Sequence, residues 1–143
     1  MQHVHSDMQT LARRLTAPTI LVVENDDELR ELAEIVLTEA GYPVLSAPDG
    51  IAGFRLLERQ PAVALLFTDI VMPRIDGLML ADMATLRRPD LRVLYTTGYR
   101  DEMNRQPGYR YGDVLTKPYR PSELEAAVGR ALAAPAHLRR PRP

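Results

Sequence analysis

The chain has 143 residues, 45% of them apolar, which suits one domain with a buried core of its own. A net charge of -1 and a pI near 6.3 give no electrostatic pull toward nucleic acid or an anionic membrane surface. Cysteine is absent, which excludes disulfides and thiolate metal sites and suits the cytoplasm, and no apolar run approaches the roughly 18 residues needed to span a bilayer.

Residues 1–17 are polar and mixed in charge, and they read as a flexible arm rather than a signal peptide. His3 and His5 in that arm have no neighbouring ligands with which to hold a metal. The domain is expected to span 18–134. Ile20-Leu21-Val22-Val23 is a continuous apolar run, the pattern of a strand buried on both faces, and it stops at Glu24-Asn25-Asp26-Asp27. Leu29, Leu32, Ala33, Val36, Leu37 and Ala40 follow at helical spacing, with an acidic start and Gly41 as C-terminal cap; Asp26 is expected to cap the start. Tyr42–Ala47 reads as a second strand, placed at an edge by Pro43. Asp49 can cap a helix that ends before Pro61.

Val63–Thr68 is a third apolar strand, ending at Asp69. A loop to Asp76 leads into a helix opened by Gly77 and closed by Pro89. Leu91–Thr96 is a fourth strand, followed by Thr97-Gly98. Between Tyr99 and Gly112 any helix must be short, given Pro107 and Gly108. Val114–Thr116 is a short fifth strand ending at Lys117-Pro118, and a last amphipathic helix begins at Pro121. Residues 135–143, with Arg139, Arg140 and Arg142, read as a disordered, solubilising tail. Strands alternating with helices predict an α/β fold, an open parallel sheet covered on both faces, with ligands bound beyond the carboxyl ends of the strands.

At those ends stand Glu24 and Asn25, Asp69, Thr97 and Lys117. A parallel sheet brings them to one edge without any shared local motif. Two carboxylates need a cation between them. Oxygen donors of this kind suit magnesium, which keeps several waters and uses few carboxylates. A carboxylate can also attack phosphorus to form an aspartyl phosphate, with the metal, an ammonium and a hydroxyl balancing the phosphoryl oxygens. The basic residues sharpen this picture: 17 of 18 are arginine, and the one lysine is Lys117. A lysine is a compact point charge that a guanidinium cannot imitate in a tight site.

Four blocks carry a resemblance: Ile-Leu-Val-Val-Glu-Asn-Asp at 20–26, Thr-Asp-Ile-Val-Met-Pro-Arg-Ile-Asp-Gly at 68–77, Tyr-Thr-Thr-Gly-Tyr at 95–99 and Leu-Thr-Lys-Pro-Tyr at 115–119. Across Thr19–Ala134 the chain resembles the receiver domain of two-component response regulators. The resemblance implies a doubly wound, flavodoxin-like sheet in the order 2-1-3-4-5. It implies that Asp69 accepts a phosphoryl group from a phosphohistidine. It implies Mg2+ held by Glu24, Asn25, Asp69 and the backbone carbonyl of Val71, with Thr97 as switch hydroxyl, Lys117 as phosphate contact and a cis Lys117–Pro118 bond. The implied partners are a histidine kinase or histidine phosphotransfer protein, and a downstream protein bound through the fourth helix, fifth strand and fifth helix. Neither nucleic acid nor membrane is expected as a partner, and the protein is expected to be a phosphoacceptor rather than an enzyme, with at most slow autophosphatase activity.

Two positions, Asn25 and Val114, depart from the family pattern, and two more, Val71 and Tyr99, bear on how long a phosphoryl group lasts. Asn25 stands where an acid is usual, so magnesium binding is expected to be weaker than in Asn25→Asp. Val114 replaces an aromatic switch residue, while Tyr99, Tyr111 and Tyr119 nearby are expected to pack the sheet edge. Val71 and Tyr99, two residues beyond Asp69 and Thr97, are poor at orienting water, so phosphate loss is expected over minutes or longer. The last helix leaves no room for an output domain, which favours a stand-alone receiver. A receiver excised from a hybrid sensor kinase and a pseudo-receiver acting without phosphorylation are the alternatives. A phosphatase would want a second aspartate at Val71, and a flavin binder a Ser/Thr/Gly-rich loop after the first strand; neither is present.

Overall fold

The computed structural model describes Met8, residues 17–98 and residues 111–134. The expectations for His3 and His5, for Tyr99 and a short helix before Gly112, and for the tail with Arg139, Arg140 and Arg142 lie outside the described residues. Among the described residues the order is β1 (Thr19–Val23), α1 (Asp27–Glu39), β2 (Val44–Ala47), α2 (Gly50–Arg59), β3 (Val63–Asp69), α3 (Gly77–Arg87), β4 (Arg92–Gly98), β5 (Val114–Lys117) and α4 (Pro121–Ala133). The five strands are all parallel and lie in the order β2-β1-β3-β4-β5, the doubly wound arrangement expected.

The continuous apolar strands are explained by burial on both faces. Ile20 and Val22 of β1, with Leu65 and Phe67 of β3, face Ala33, Val36 and Leu37 of α1 and Leu124, Ala127 and Val128 of α4. The intervening Leu21 and Val23, with Val63 and Leu66, face Leu57 of α2 and Leu80 and Ala84 of α3. Two cores thus sandwich one sheet, as the two-residue period of a strand requires. A third, smaller cluster of Ile70, Ala81, Val93 and Tyr95 gathers Tyr111 and Val114 at the β5 side.

The helix starts are fixed by aspartates. Asp26, Asp49 and Asp76 each accept a backbone N–H three residues on, at 3.0, 2.8 and 2.7 Å, filling orphan donors of α1, α2 and α3. α1 ends at Gly41, whose φ of 101° a side chain would strain.

Two boundaries differ from the sequence expectation. Tyr42 and Pro43 fall outside β2: the Tyr42 N–H closes α1 onto the Leu37 carbonyl, and the Pro43 carbonyl accepts from Ile20. At the other side, β4 continues through Thr97 and Gly98 because β5 pairs with it there, Thr97 opposite Thr116 and Gly98 opposite Lys117. Tertiary pairing, not local propensity, sets that strand end.

Candidate functional site

Sheet register assembles the site. Val23 pairs with Thr68, so the next residues, Glu24 and Asp69, leave adjacent strands side by side. Asp69 pairs with Thr96, which puts Thr97 one step beyond it, and Gly98 brings Lys117 across from β5. All four side chains are inside or nearly so: Glu24 is 3% exposed, Asp69 5% and Thr97 1%, with Lys117 partly buried.

Lys117 is the hub. Its Nζ lies 2.7 Å from Glu24 Oε1 and donates to Asp69 Oδ2 at 3.2 Å. Glu24 Oε1 meets no donor with hydrogen-bond geometry, and the ammonium reaches it as an ion pair. The Asn25 amide closes a second link. The end of that side chain facing the carboxylates sees only acceptors, so the hydrogen-bond network assigns it as the nitrogen, 3.1 Å from Glu24 Oε2 and 3.1 Å from Asp69 Oδ2. Asp69 Oδ2 therefore faces two donors at once. Thr97 Oγ1 is buried with no hydrogen-bond partner among the described residues, the kind of orphan that native interiors rarely leave without a purpose.

The electrostatics follow from this crowding. Burial and then the neighbouring Glu24 charge push the Asp69 carboxyl from 3.8 up to about 6, against the pull of Lys117. Burial alone would lower Lys117, but its close ion pair with Glu24 and the charge of Asp69 outweigh that and raise it. Burial, aided by the same two carboxylates, pushes the Tyr119 phenol to about 12. Tyr111 joins the third cluster at the β5 side, as expected, whereas Tyr119 packs edge-on against Phe67 of the central strand β3, ring centroids 6.1 Å apart, rather than at the sheet edge.

Several supports are silent in the sequence. Arg30 of α1 donates to the Glu24 carbonyl (2.9 Å) and to Asp27 (2.7 Å), pinning the β1–α1 turn. Only its spacing of three from Asp27 hints at this, and such pairs are common on helices. Gly77 carries its N–H to the Ile70 carbonyl at 2.8 Å, so close that a Cβ would lie 2.1 Å from the Asp69 carbonyl oxygen. The Tyr111 hydroxyl donates to Asp82 of α3 at 2.7 Å, tying the approach to β5 to the helix that follows the Asp69 loop. Val114 sits in the third cluster as an aliphatic filler. The Lys117–Pro118 bond is cis.

The donor set fits a hard divalent cation. Among the described residues no group of three or more His, Cys, Asp or Glu side chains is placed to hold a metal, so the acidic contribution is the two carboxylates, Glu24 and Asp69. Magnesium needs no more than one or two, with waters and neutral oxygens completing its shell. In the loop that follows, Thr68 Oγ1 donates to the Asp69 carbonyl and the Gly77 N–H to the Ile70 carbonyl.

Comparison with known proteins places this constellation. The model of the response regulator receiver domain matches residues 20–129. The response regulator receiver protein CpdR of Brucella abortus is 35% identical over 117 residues, covering 80% of this chain and 97% of that protein. The transcriptional regulator RpaA of Synechocystis is 35% identical over 116 residues, but those cover only 47% of its length. Among solved structures, a putative response regulator from Chloroflexus aurantiacus superposes with a TM-score of 0.73 at 31% identity, over 82% of this chain and 98% of that one. The receiver domain of the hybrid histidine kinase CckA does so with a TM-score of 0.68 at 29% identity, over 80% and 98%. The chain belongs to the response regulator receiver domain family, whose general function is phosphorylation-dependent switching in two-component signalling.

Proposed function

We propose that residues 18–134 form a receiver that accepts a phosphoryl group on Asp69 from the phosphohistidine of a histidine kinase or histidine phosphotransfer protein in the cytoplasm. The observation that carries this reading is the Lys117 ammonium set against both Asp69 and Glu24, with a Thr97 hydroxyl on the next strand that has no partner among the described residues. An oxygen of the Asp69 carboxylate attacks phosphorus while the phosphorus–nitrogen bond to the donor imidazole breaks, leaving an acyl phosphate on Asp69 and a free histidine. Lys117 meets the charge on the phosphoryl oxygens, and Thr97 turns its hydroxyl to donate to one of them.

Magnesium would be held by Glu24, Asn25, Asp69 and the Val71 carbonyl, and when bound it supplies charge neutralisation at the phosphoryl oxygens. Phosphorylation then offers the Thr97 hydroxyl an acceptor and draws Lys117 from its carboxylate partners toward the phosphoryl oxygens, which biases an existing equilibrium of the β4–β5 side. Output follows by protein contact through the segment before β5, β5 itself and α4.

Phosphotransfer profiling against a set of autophosphorylated histidine kinases tests the proposal. At least one kinase is expected to label the wild type and none the Asp69→Asn variant. Label that persists in that variant would refute the assignment.

A further inference from the structure

The Asn25 amide occupies an unusual electrostatic position. Glu24 and Asp69 are buried neighbours at the ends of adjacent strands, so their like charges repel. One neutral donor group reaches both, the Asn25 nitrogen, 3.1 Å from Glu24 Oε2 and 3.1 Å from Asp69 Oδ2. Lys117 bridges the same pair from the β5 side, through Glu24 Oε1 and again Asp69 Oδ2. Asp69 is thereby clamped through one oxygen by two donors on opposite flanks, one charged and one neutral. An aspartate at position 25 could donate nothing and would set a third carboxylate against the other two.

We infer that Asn25 is a positioning residue that stands in for the cation: its amide N–H groups bridge Glu24 and Asp69, so the acceptor site stays assembled without metal. The inference rests on the reading of Glu24 and Asp69 as the metal-assisted acceptor site and gives Asn25 a role within it. To serve a cation, the amide must turn its oxygen inward and give up both hydrogen bonds. Metal and amide nitrogen therefore compete for the same two carboxylates. The substitution of an acid by an amide exchanges affinity for magnesium against integrity of the site in its absence.

The test is thermal melting of the wild type, Asn25→Asp and Asn25→Ala, each in EDTA and in saturating magnesium. In EDTA, Asn25→Asp is expected to melt roughly 3–6 °C below the wild type, and Asn25→Ala by about half as much, having lost the bridge without gaining a charge. Magnesium is expected to raise Asn25→Asp by most of its deficit while moving the wild type little. Equal melting of all three in EDTA would overturn the inference, as would a wild-type response to magnesium as large as that of Asn25→Asp. Should Asn25→Asp not fold in EDTA, Asn25→Ala alone decides: a melting point equal to the wild type removes the bridge. A parallel intact-mass assay with a small phosphodonor keeps the two readings apart. No adduct on Asp69 with the melting pattern preserved would discard the acceptor reading and leave the bridge standing.

Discussion

Asp69 carries a cost that the fold absorbs. In a chelator, with its carboxyl raised from 3.8 to about 6, the folded protein binds the Asp69 proton more tightly than the unfolded chain does. Stability is thus highest below the unfolded value and falls as the pH rises from about 4 to about 6. Asp69→Asn removes that loss, so at neutral pH the variant is expected to be more stable by roughly 1–3 kcal/mol, less what Lys117 forfeits with its partner. Urea unfolding at pH 4 and pH 7 measures it: the advantage of the variant must grow between the two, and a constant difference would contradict the account. Lys117→Arg is expected to cut phosphoryl transfer about tenfold or more, since a planar fork cannot sit at once against Glu24 and Asp69 from a half-buried stem. Initial labelling rates from a small phosphodonor read this directly. At this scale the sequence was informative where a polar residue ended an apolar strand, as at Asp69 and Lys117. The contact of Arg30 to a backbone carbonyl is hinted at only by its spacing from Asp27, and the direction of the Asn25 amide leaves no trace in residue type or spacing.

Elements place these residues, and their junctions are the sensitive points. The turn from β3 into α3 brings Gly77 against the Asp69 carbonyl with no space for a side chain. Gly77→Ala is expected to push the Asp69 loop outward, costing about 1–3 kcal/mol and lowering the phosphorylation rate more than the loss of folded protein explains. Comparing labelling per folded molecule separates the two effects. Asp26→Ala, by contrast, removes an exposed cap and is expected to cost about 1 kcal/mol with little effect on the site beyond it. Strands and helices were legible because the apolar runs had a definite pattern and three helices had an aspartate, the fourth a proline, at the start. The extension of β4 through Thr97 was not, because it depends on pairing with β5 from a distant part of the chain.

For the molecule as a whole, the strand order rests on the family resemblance more than on periodicity, which says only that the sheet is parallel and covered. The cluster at the carboxyl edge then follows from topology, since four of its members come from four different strands. Once formed, the acyl phosphate is expected to persist for minutes or longer: the Val71 side chain, two residues beyond Asp69 and exposed, offers an attacking water no hydrogen bond. Val71→Asn should shorten that lifetime, and a half-life of seconds in the wild type would contradict the argument. The central claim is tested most directly by intact mass after incubation with a small phosphodonor and magnesium, followed by mapping of the adduct. The account predicts one phosphoryl group, on Asp69, in the wild type and none in Asp69→Asn; an unmodified wild type, or an adduct on any other residue, would contradict it.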